Sequence, residues 1–531
     1  MTTLPTDPGF QETPERRPPD LGFRELLRWA WRQLTSMRTA LVLLLLLALA
    51  AIPGSVIPQE GVDSLKTSQW QDAHPTLTPV YERLGLFSVY DSPWFSAIYL
   101  LLMVSLVGCI LPRTAVYWRA LRAAPPRAPR NLSRLPQHTA YSTQEEPEVV
   151  LARAREVLRG RRYRLATDPG GGDSVAAERG YLREAGNLLF HVSVLIVLVG
   201  FAVGSLFGYK GGVIVVVGNG FANNLTQYDD FSPGSLFDPA RMEPFSFTID
   251  DFDVEWVTEG RAQGMARSFV SHLTYQTSPD AAPQRYDLKV NHPLTVGGTD
   301  VFLIGHGYAP VITVRDGNGE VAYSGPTIFL PQDKSFLSFG VVKAPDAEPT
   351  QIGLEGLFYP TYLKVDGDPV NVMGDLKNPT LSMLAYTGDL GLDDGKPQSV
   401  YVLDKSRATR LVKPDGSMFR VDLQPGQTIQ LPEGAGSVSF DGVERWNRIQ
   451  ISRTPGKYVA LLGVVLALLG LLGSLFIRPR RIWVRARPGE EGTLVEVGGL
   501  DRSEGGDLAA VLAGIVTALR EGEGQKVDVH E

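Results

Sequence analysis

Four apolar stretches of about twenty residues constrain this chain more than any other feature of its sequence. They cover residues 39–58, 94–112, 185–207 and 457–477. A helix needs about 20 apolar residues to cross the hydrocarbon core of a bilayer, and each stretch is of that length. The sequence therefore predicts a multi-pass α-helical membrane protein with four transmembrane helices.

The first stretch also allows interpretation as a secretory signal peptide, because Ala48-Leu49-Ala50 resembles a cleavage motif. Two features oppose this interpretation. The apolar run is long for a signal peptide, and so is the extension that precedes it. A membrane span is the favoured interpretation of residues 39–58.

Arginine clusters beside the four stretches predict the orientation of the chain. Lys and Arg accumulate on the cytoplasmic side of membrane proteins. The clusters are Arg24, Arg28, Arg32 and Arg38 before the first stretch, Arg113, Arg119, Arg122, Arg127 and Arg130 after the second, Arg161, Arg162, Arg164 and Arg183 before the third, and Arg478, Arg480, Arg481, Arg485 and Arg487 after the fourth. All four clusters share one side if both termini are cytoplasmic. A location in the plasma membrane follows, with the loop 59–93 and the segment 208–456 outside the cell.

Three segments are then expected in the cytoplasm. Residues 1–38 should be disordered at the start, with either an interfacial helix or an ordinary helical extension at Phe23–Leu34. The loop 113–184 begins with the Pro/Arg-rich linker AAPPRAPRNLSRLP and should form a small α+β unit. The tail 478–531 should contain one strand and one apolar helix. Neither the loop nor the tail contains a catalytic motif.

The long segment 208–456 has the pattern of an all-β domain. Apolar and polar residues alternate with period two, for example at Pro244–Trp256, and Gly, Pro, Asn and Asp separate the runs. A further strand is expected at Val400–Leu403. Many short strands of this kind predict one sandwich, or two small ones with a seam near Asp346–Pro349.

Composition excludes two classes of function. Acidic residues exceed basic ones in segment 208–456, which argues against nucleic acid as a partner. The chain has one cysteine, Cys109, so neither an intramolecular disulfide nor a CxxC exchange mechanism is available. Cys109 is interpreted as a small packing residue in its helix, with a reactive thiol as the alternative.

His191 is the ionisable residue within the apolar stretch from Gly186 to Phe207. An ionisable group at membrane depth is a candidate functional residue, because it costs free energy unless a partner satisfies it. Three roles remain open: a hydrogen bond to a carbonyl or a serine, a metal or haem ligand, and a proton relay. Gly200, Gly204 and Gly208 form a ridge suited to close helix packing, and the first two lie opposite His191.

The histidines expected outside the membrane give no metal-binding pattern. They are His74, His272, His292 and His306, and none is spaced as HxH or HxxxH. His292 in VNHPL and His306 in GHGYAP are expected between strands, as turn or core residues.

Four motifs suggest a family by their order along the chain. They are SMRTALVLLLLLALAAIPGSVIPQ from Ser36, LGLFSVYDSPWFSAIYLLLMVSLVGCILPR from Leu84, GNLLFHVSVLIVLVG around His191, and VNHPL followed by GHGYAP before a Gly-rich last span ending in RPRRIW. Together they resemble the ResB proteins, also called CcsB, of the cytochrome c biogenesis system known as system II. The resemblance extends from about residue 34 to residue 485.

The resemblance implies a membrane subunit that helps to bind and export haem and to present apocytochrome c for covalent haem attachment at the outer face. Its partners would be a ResC (CcsA) membrane protein with a Trp-rich motif, apocytochrome c and, as a further candidate, a thiol-reducing thioredoxin-like protein. His191 matches the membrane histidine of the family and would be an axial ligand to the iron of transiently bound haem b. Alone, such a chain should not catalyse thioether formation, so any cytochrome c synthase activity would belong to the complex.

Two rival functions come from other classes. The chain could be a membrane-anchored binding or sensory protein whose β domain recognises a ligand outside the cell, but an anchor has no need of His191. It could also be a subunit of a lipid or polymer transporter, but its spans show no internal repeat of the transporter kind.

Overall fold

The computed structural model describes residues 22–62, 64–166, 172–257, 259–260, 264–393, 395, 398–490, 492–501 and 507–521. The disorder expected at the start of the chain falls on residues outside these ranges. The chain divides into two compact units, one made of Met1–Phe201 with Lys457–Glu531 and the other of Ala202–Gly456.

The helices of the described residues are α1 (Phe23–Leu34), α2 (Met37–Val56), α3 (Ser64–Ala73), α4 (Thr78–Arg83), α5 (Pro93–Arg122), α6 (Pro147–Gly160), α7 (Arg183–Phe207), α8 (Lys457–Phe476) and α9 (Leu508–Glu521). Four of them, α2, α5, α7 and α8, are long and apolar enough to cross a membrane. The predicted fold class, four apolar helices with a large β domain between the third and the fourth, is confirmed.

The strands are β1 (Gln137–Thr143), β2 (Arg164–Leu165), β3 (Ser174–Arg179), β4 (Tyr209–Val216), β5 (Gly220–Ala222), β6 (Asp230–Pro233), β7 (Ser246–Trp256), β8 (Ala266–Gln276), β9 (Gln284–Lys289), β10 (Leu294–Val296), β11 (Thr299–Arg315), β12 (Val321–Pro326), β13 (Leu330–Pro331), β14 (Ser338–Ala344), β15 (Ile352–Tyr359), β16 (Tyr362–Val365), β17 (Asp368–Asn371), β18 (Thr380–Asp389), β19 (Arg407–Arg410), β20 (Val421–Leu423), β21 (Gln427–Gln430), β22 (Ser437–Arg453), β23 (Arg480–Gly489) and β24 (Gly492–Asp501).

Helix α5 continues well past the apolar stretch that predicted it. It runs through Pro112 to Arg122 as one helix of 30 residues. Proline removes one helical hydrogen bond, but helices of this kind tolerate it when nearby groups satisfy the freed backbone. The extension carries the side chains of α5 beyond the apolar region.

Helices α7 and α8 touch through glycine. An added Cβ at Gly200 would lie 2.7 Å from the backbone nitrogen of Ala460, and one at Gly470 would lie 2.6 Å from that of Phe190. One at Gly463 would lie 2.9 Å from the nitrogen of Val197. Real Cβ atoms do not approach so closely, so these positions require glycine. The predicted use of glycine for close helix packing is confirmed at Gly200.

The loop 113–184 and the tail 478–531 build one domain, which the sequence did not predict. Its antiparallel sheet has the order β1-β24-β23-β3-β2, so the two strands of the tail lie side by side between strands of the loop. Helices α6 and α9 pack on this sheet in a single apolar core that includes Leu158, Val484, Val497 and Ile515, all fully buried. We call this the α+β domain.

The Pro/Arg-rich linker is docked on the α+β domain. The indole of Trp483 donates to the carbonyl of Pro126 at 2.9 Å. Arg485 donates to the carbonyls of Pro129 at 2.7 Å and of Arg130 at 3.0 Å, and it is 4% exposed. Arg485 therefore has a structural role within this domain, although it had been counted among the charges beside the fourth span.

The β domain between α7 and α8 contains two apolar cores that share one sheet. Strands β11 and β22 pair along their whole length at the centre of a seven-stranded sheet. One half of this pair packs with the β5-β7-β8-β9 sheet around Ile249 and Val301, and the other half packs with the β13-β14-β15-β18-β19 sheet around Ile312 and Phe358.

Two details of the predicted β domain are wrong. The first is the seam between two sandwiches, predicted near Asp346–Pro349. Ala344 and Ala347 belong to the same core, so no boundary between cores lies there, and the cores instead divide at the middle of β11 and β22. Val400–Leu403 forms a turn and irregular chain, not a strand. Apolar spacing alone did not distinguish a buried loop residue such as Leu403 from a strand residue.

The docked linker leads to a prediction about the α+β domain. Trp483→Ala should lower the free energy of unfolding of this domain by about 3–5 kcal/mol, as large-to-small changes in cores do. It should also release the linker, so that trypsin cleaves after Arg127 and Arg130 faster than in the wild type. Arg487→Ala on the same strand is the control, because that side chain is half exposed. Equal cleavage rates in Trp483→Ala and Arg487→Ala would contradict the docking.

Candidate functional site

The imidazole of His191 is oriented by its own helix. Its Nδ1 lies 2.8 Å from the carbonyl oxygen of Asn187, one turn earlier. A carbonyl only accepts, so Nδ1 carries a proton, and in the neutral form of the ring the lone pair is on Nε2. Within the described chain, Nε2 forms no hydrogen bond. Metal-binding histidines commonly show this arrangement, in which the other ring nitrogen donates to a carbonyl.

His191 lines a cavity of about 150 Å³ enclosed by three helices. Helix α2 contributes Met37, Ala40 and Leu41; α5 contributes Leu106, Cys109, Ile110, Arg113 and Tyr117; α7 contributes Glu184, Asn187, Leu188 and His191. The walls are mostly apolar, with charged residues only at Arg113 and Glu184. The face of α7 that carries His191 is therefore partly covered by helices of the same chain.

Cys109 lies in this cavity wall as a packing residue. Its thiol donates to the carbonyl of Thr35 at 2.9 Å, and the hydroxyl of Ser105, one turn earlier, donates to that of Leu34 at 2.6 Å. These bonds hold the link between α1 and α2 against α5. The structure therefore supports the interpretation of Cys109 as a packing residue.

The described residues contain no group of three or more His, Cys, Asp or Glu side chains arranged to hold a metal ion. His191 thus supplies a single ligand atom. A single imidazole does not make a structural zinc site, which takes four ligands, but it suits haem, whose iron needs only an axial ligand from the protein.

The histidines of the β domain occupy three different environments. His292 is exposed in the turn after β9, as expected for a turn residue. His272 lies between Asp253, at 3.0 Å, and Asp287, at 2.8 Å. Hydrogen bonds to the carboxylates of Asp253 and Asp287 raise the pKa of His272.

His306 differs from its prediction, because it lies inside a strand and not between strands. It faces Asn447 across the β11–β22 pair, at the division between the two cores. Its ring stacks on Phe336 at 4.6 Å and contacts Phe252 and Phe269, and its Nε2 is buried without a hydrogen-bond partner. Burial lowers the pKa of His306 to about 4, and the charge of Arg445 contributes to the decrease.

These features define a class: a membrane protein with four apolar helices, a histidine facing a cavity among three of them, and a large β domain before the last helix. Within that class, the sequence pattern of the ResB-like family matches residues 37–513. The match covers most of the chain, so the chain belongs to the ResB-like family.

Several relatives carry the name cytochrome c biogenesis protein CcsB. The protein of that name from Synechococcus sp. (strain CC9311) is 26% identical over 510 residues, covering 93% of this chain and 99% of the relative. That from Synechococcus sp. (strain WH7803) is 27% identical over 461 residues, covering 85% and 89%. That from Synechococcus sp. (strain JA-2-3B'a(2-13)) is 29% identical over 277 residues, and there the match spans only 55% of the relative.

The buried His306 leads to a prediction about pH. Its folded pKa lies below the unfolded value of 6.5, so the unfolded chain binds a proton that the folded ring does not. The stability of the β domain should fall as the pH drops from 6.5 towards 4, by up to about 3 kcal/mol for this group. His306→Phe keeps an aromatic ring and should remove this share of the pH dependence.

The measurement is guanidinium unfolding of the purified protein at pH 7 and pH 4.5. His292→Gln, which changes an exposed histidine, is the control and should unfold with the pH dependence of the wild type. An unchanged pH dependence in His306→Phe would show that His306 is not the titrating group.

Proposed function

We propose that this chain is the membrane subunit of a system II cytochrome c biogenesis complex. It would help to bind and export haem and to present apocytochrome c for covalent attachment at the outer face. Membership of the ResB-like family and the CcsB relatives support this function. The rival function, a membrane-anchored binding or sensory protein, is not favoured by either comparison.

The observation that carries the proposal is the free Nε2 of His191. The bond from Nδ1 to Asn187 fixes the tautomer in which Nε2 is the electron-pair donor. Haem iron accepts imidazole nitrogen as an axial ligand, and the apolar walls suit the faces of a porphyrin. In this proposal His191 binds the iron of transient haem b, which is cargo and not a resident cofactor.

The small volume of the His191 cavity supports the participation of a second subunit in haem binding. Pockets that bury a drug-sized ligand have volumes of about 300–1,000 Å³. The cavity of His191 has about 150 Å³ and holds only part of a porphyrin. The remaining surface would come from a ResC (CcsA) partner with its Trp-rich motif. Apocytochrome c and a thioredoxin-like reductant complete the proposed set of partners, and thioether formation belongs to the complex.

The proposed topology places both termini and the α+β domain in the cytoplasm and the β domain outside the cell. The arginine clusters beside α2, α5, α7 and α8 support it. Arg485 is buried in the α+β domain, so we leave it out of the arginines that indicate the cytoplasmic side. The remaining clusters agree with one another without it.

His191→Ala tests the haem-ligand role. The helix should still form and insert, while haem retained by the chain co-purified with its partner should fall, together with holocytochrome c made by the cells. Ser193→Ala is a matched control, because the Ser193 hydroxyl also donates to a carbonyl one turn earlier, that of Leu189 at 2.6 Å. If His191 only forms a packing bond, its loss should cost about 0.6 kcal/mol and leave haem unchanged. Equal haem occupancy in His191→Ala and wild type would refute the ligand role.

A labelling experiment tests the topology. In a Cys109→Ala background, single cysteines replace Asp280 of the β domain and Glu156 of α6, both exposed. A membrane-impermeant maleimide should label position 280 in intact cells and position 156 only after lysis. Labelling of position 156 in intact cells would contradict a cytoplasmic α+β domain.

A further inference from the structure

A second cavity lies next to that of His191, where the extension of α5 meets the α+β domain. It has a volume of about 330 Å³, within the range of pockets that bind small molecules. Its apolar wall includes Leu121, Pro126 and Leu500. We call it the arginine cleft, because Arg164, Arg183 and Arg481 also line it.

The arginine cleft and the His191 cavity share two residues, Tyr117 and Glu184. One stripe of α5 runs through both, since the lining residues of this helix follow one another at intervals of three or four. These residues are Leu106, Cys109, Ile110, Arg113, Tyr117, Ala120 and Leu121. Residues at this spacing occupy one helix face, so the two cavities lie along one path, with Tyr117 at their junction.

The charges of the arginine cleft favour an anion. Glu178 binds both Arg164 and Arg481, at 2.9 Å each, and thus compensates only part of their charge. With Arg183 and Glu184 added, three arginines face two carboxylates. The guanidinium group binds carboxylates and phosphates with paired hydrogen bonds, and the carboxylates are those that the proposed haem cargo carries.

Two buried polar atoms of the cleft have no hydrogen-bond partner among the residues that the structure describes. They are the hydroxyl of Tyr117 and the Nε of Arg164. Leaving a buried donor unsatisfied costs about 1–3 kcal/mol, so native proteins seldom do so without a reason. Both groups can donate a hydrogen bond, and both belong to residues that line the cleft in which an anionic ligand would lie.

We propose that the arginine cleft is a loading site, which holds the propionate carboxylates of haem on the α+β-domain side of the membrane before the iron reaches His191. This inference rests on the proposed function. The apolar wall would contact the porphyrin, the arginines and Tyr117 would bind the carboxylates, and the shared wall would lead the macrocycle along α5.

Metal-free protoporphyrin IX tests the arginine cleft separately from His191, because a porphyrin without iron needs no axial ligand. The full chain with its co-expressed partner is placed in bilayer discs of phosphatidylcholine. Protoporphyrin IX and its dimethyl ester are then titrated by fluorescence. The diacid should bind at least about tenfold more tightly, as expected for a hydrogen bond to a charged group.

Tyr117→Phe is the decisive variant. It removes a hydroxyl that forms no hydrogen bond within the described part of the chain, so it should leave the fold intact. It should nevertheless lose much of the preference for the diacid, as should Arg481→Gln. Arg487→Gln is the matched control, because Arg487 lies on the same strand β23 outside the cleft, and it should keep the preference. The proposal fails if the wild type shows no preference, or if Tyr117→Phe and Arg481→Gln retain it.

Two further arms separate the alternatives. Phosphatidylglycerol added to the discs tests whether the cleft binds a lipid headgroup. If this lipid lowers the affinity of the wild type for porphyrin but not that of Arg481→Gln, the cleft binds the headgroup and the proposal is overturned. His191→Ala should bind metal-free protoporphyrin as the wild type does. If the iron-ligand role of His191 fails while the diacid preference stands, the error lies in the proposed function and not in the arginine cleft.

Discussion

The close contact between α7 and α8 determines which face of α7 is left to line the cavity of His191. Gly200, Gly463 and Gly470 let the two backbones approach so nearly that no side chain fits between them. The opposite face of α7 then turns towards α2 and α5, and His191 lies on it. Small residues achieve this in a membrane because helices there associate through packing and not through the hydrophobic effect.

One hydrogen bond within α7 sets the chemistry of that face. The carbonyl of Asn187 holds the proton of His191 on Nδ1, which leaves Nε2 as a donor of electrons in a mostly apolar cavity. The extension of α5 connects this cavity with the arginine cleft. A cleft lined by arginines and a mostly apolar cavity thus follow each other along one helix, an arrangement that suits an amphipathic cargo such as haem.

The sequence predicted the parts of the fold that depend on local pattern. Apolar length predicted the four long helices, and a single ionisable residue among apolar ones identified His191. The α+β character of the loop was predicted, but its union with the tail was missed because β3 pairs with β23, which lies some 300 residues further along the chain. Gly305 and Gly307 suggested a turn around His306. The chain there in fact continues as the one long strand β11, and the register of its pairing with β22 shifts between Leu303 and Gly305. Tyr117 gave no signal at all, because its significance comes from lining two cavities.

The haem-ligand geometry can be tested directly by determining the structure of the haem-loaded complex with its partner subunit. Nε2 of His191 should be bonded to the iron while Nδ1 still donates to the carbonyl of Asn187. An iron coordinated only by other residues, or a His191 ring turned so that Nε2 meets the Asn187 carbonyl, would contradict the account.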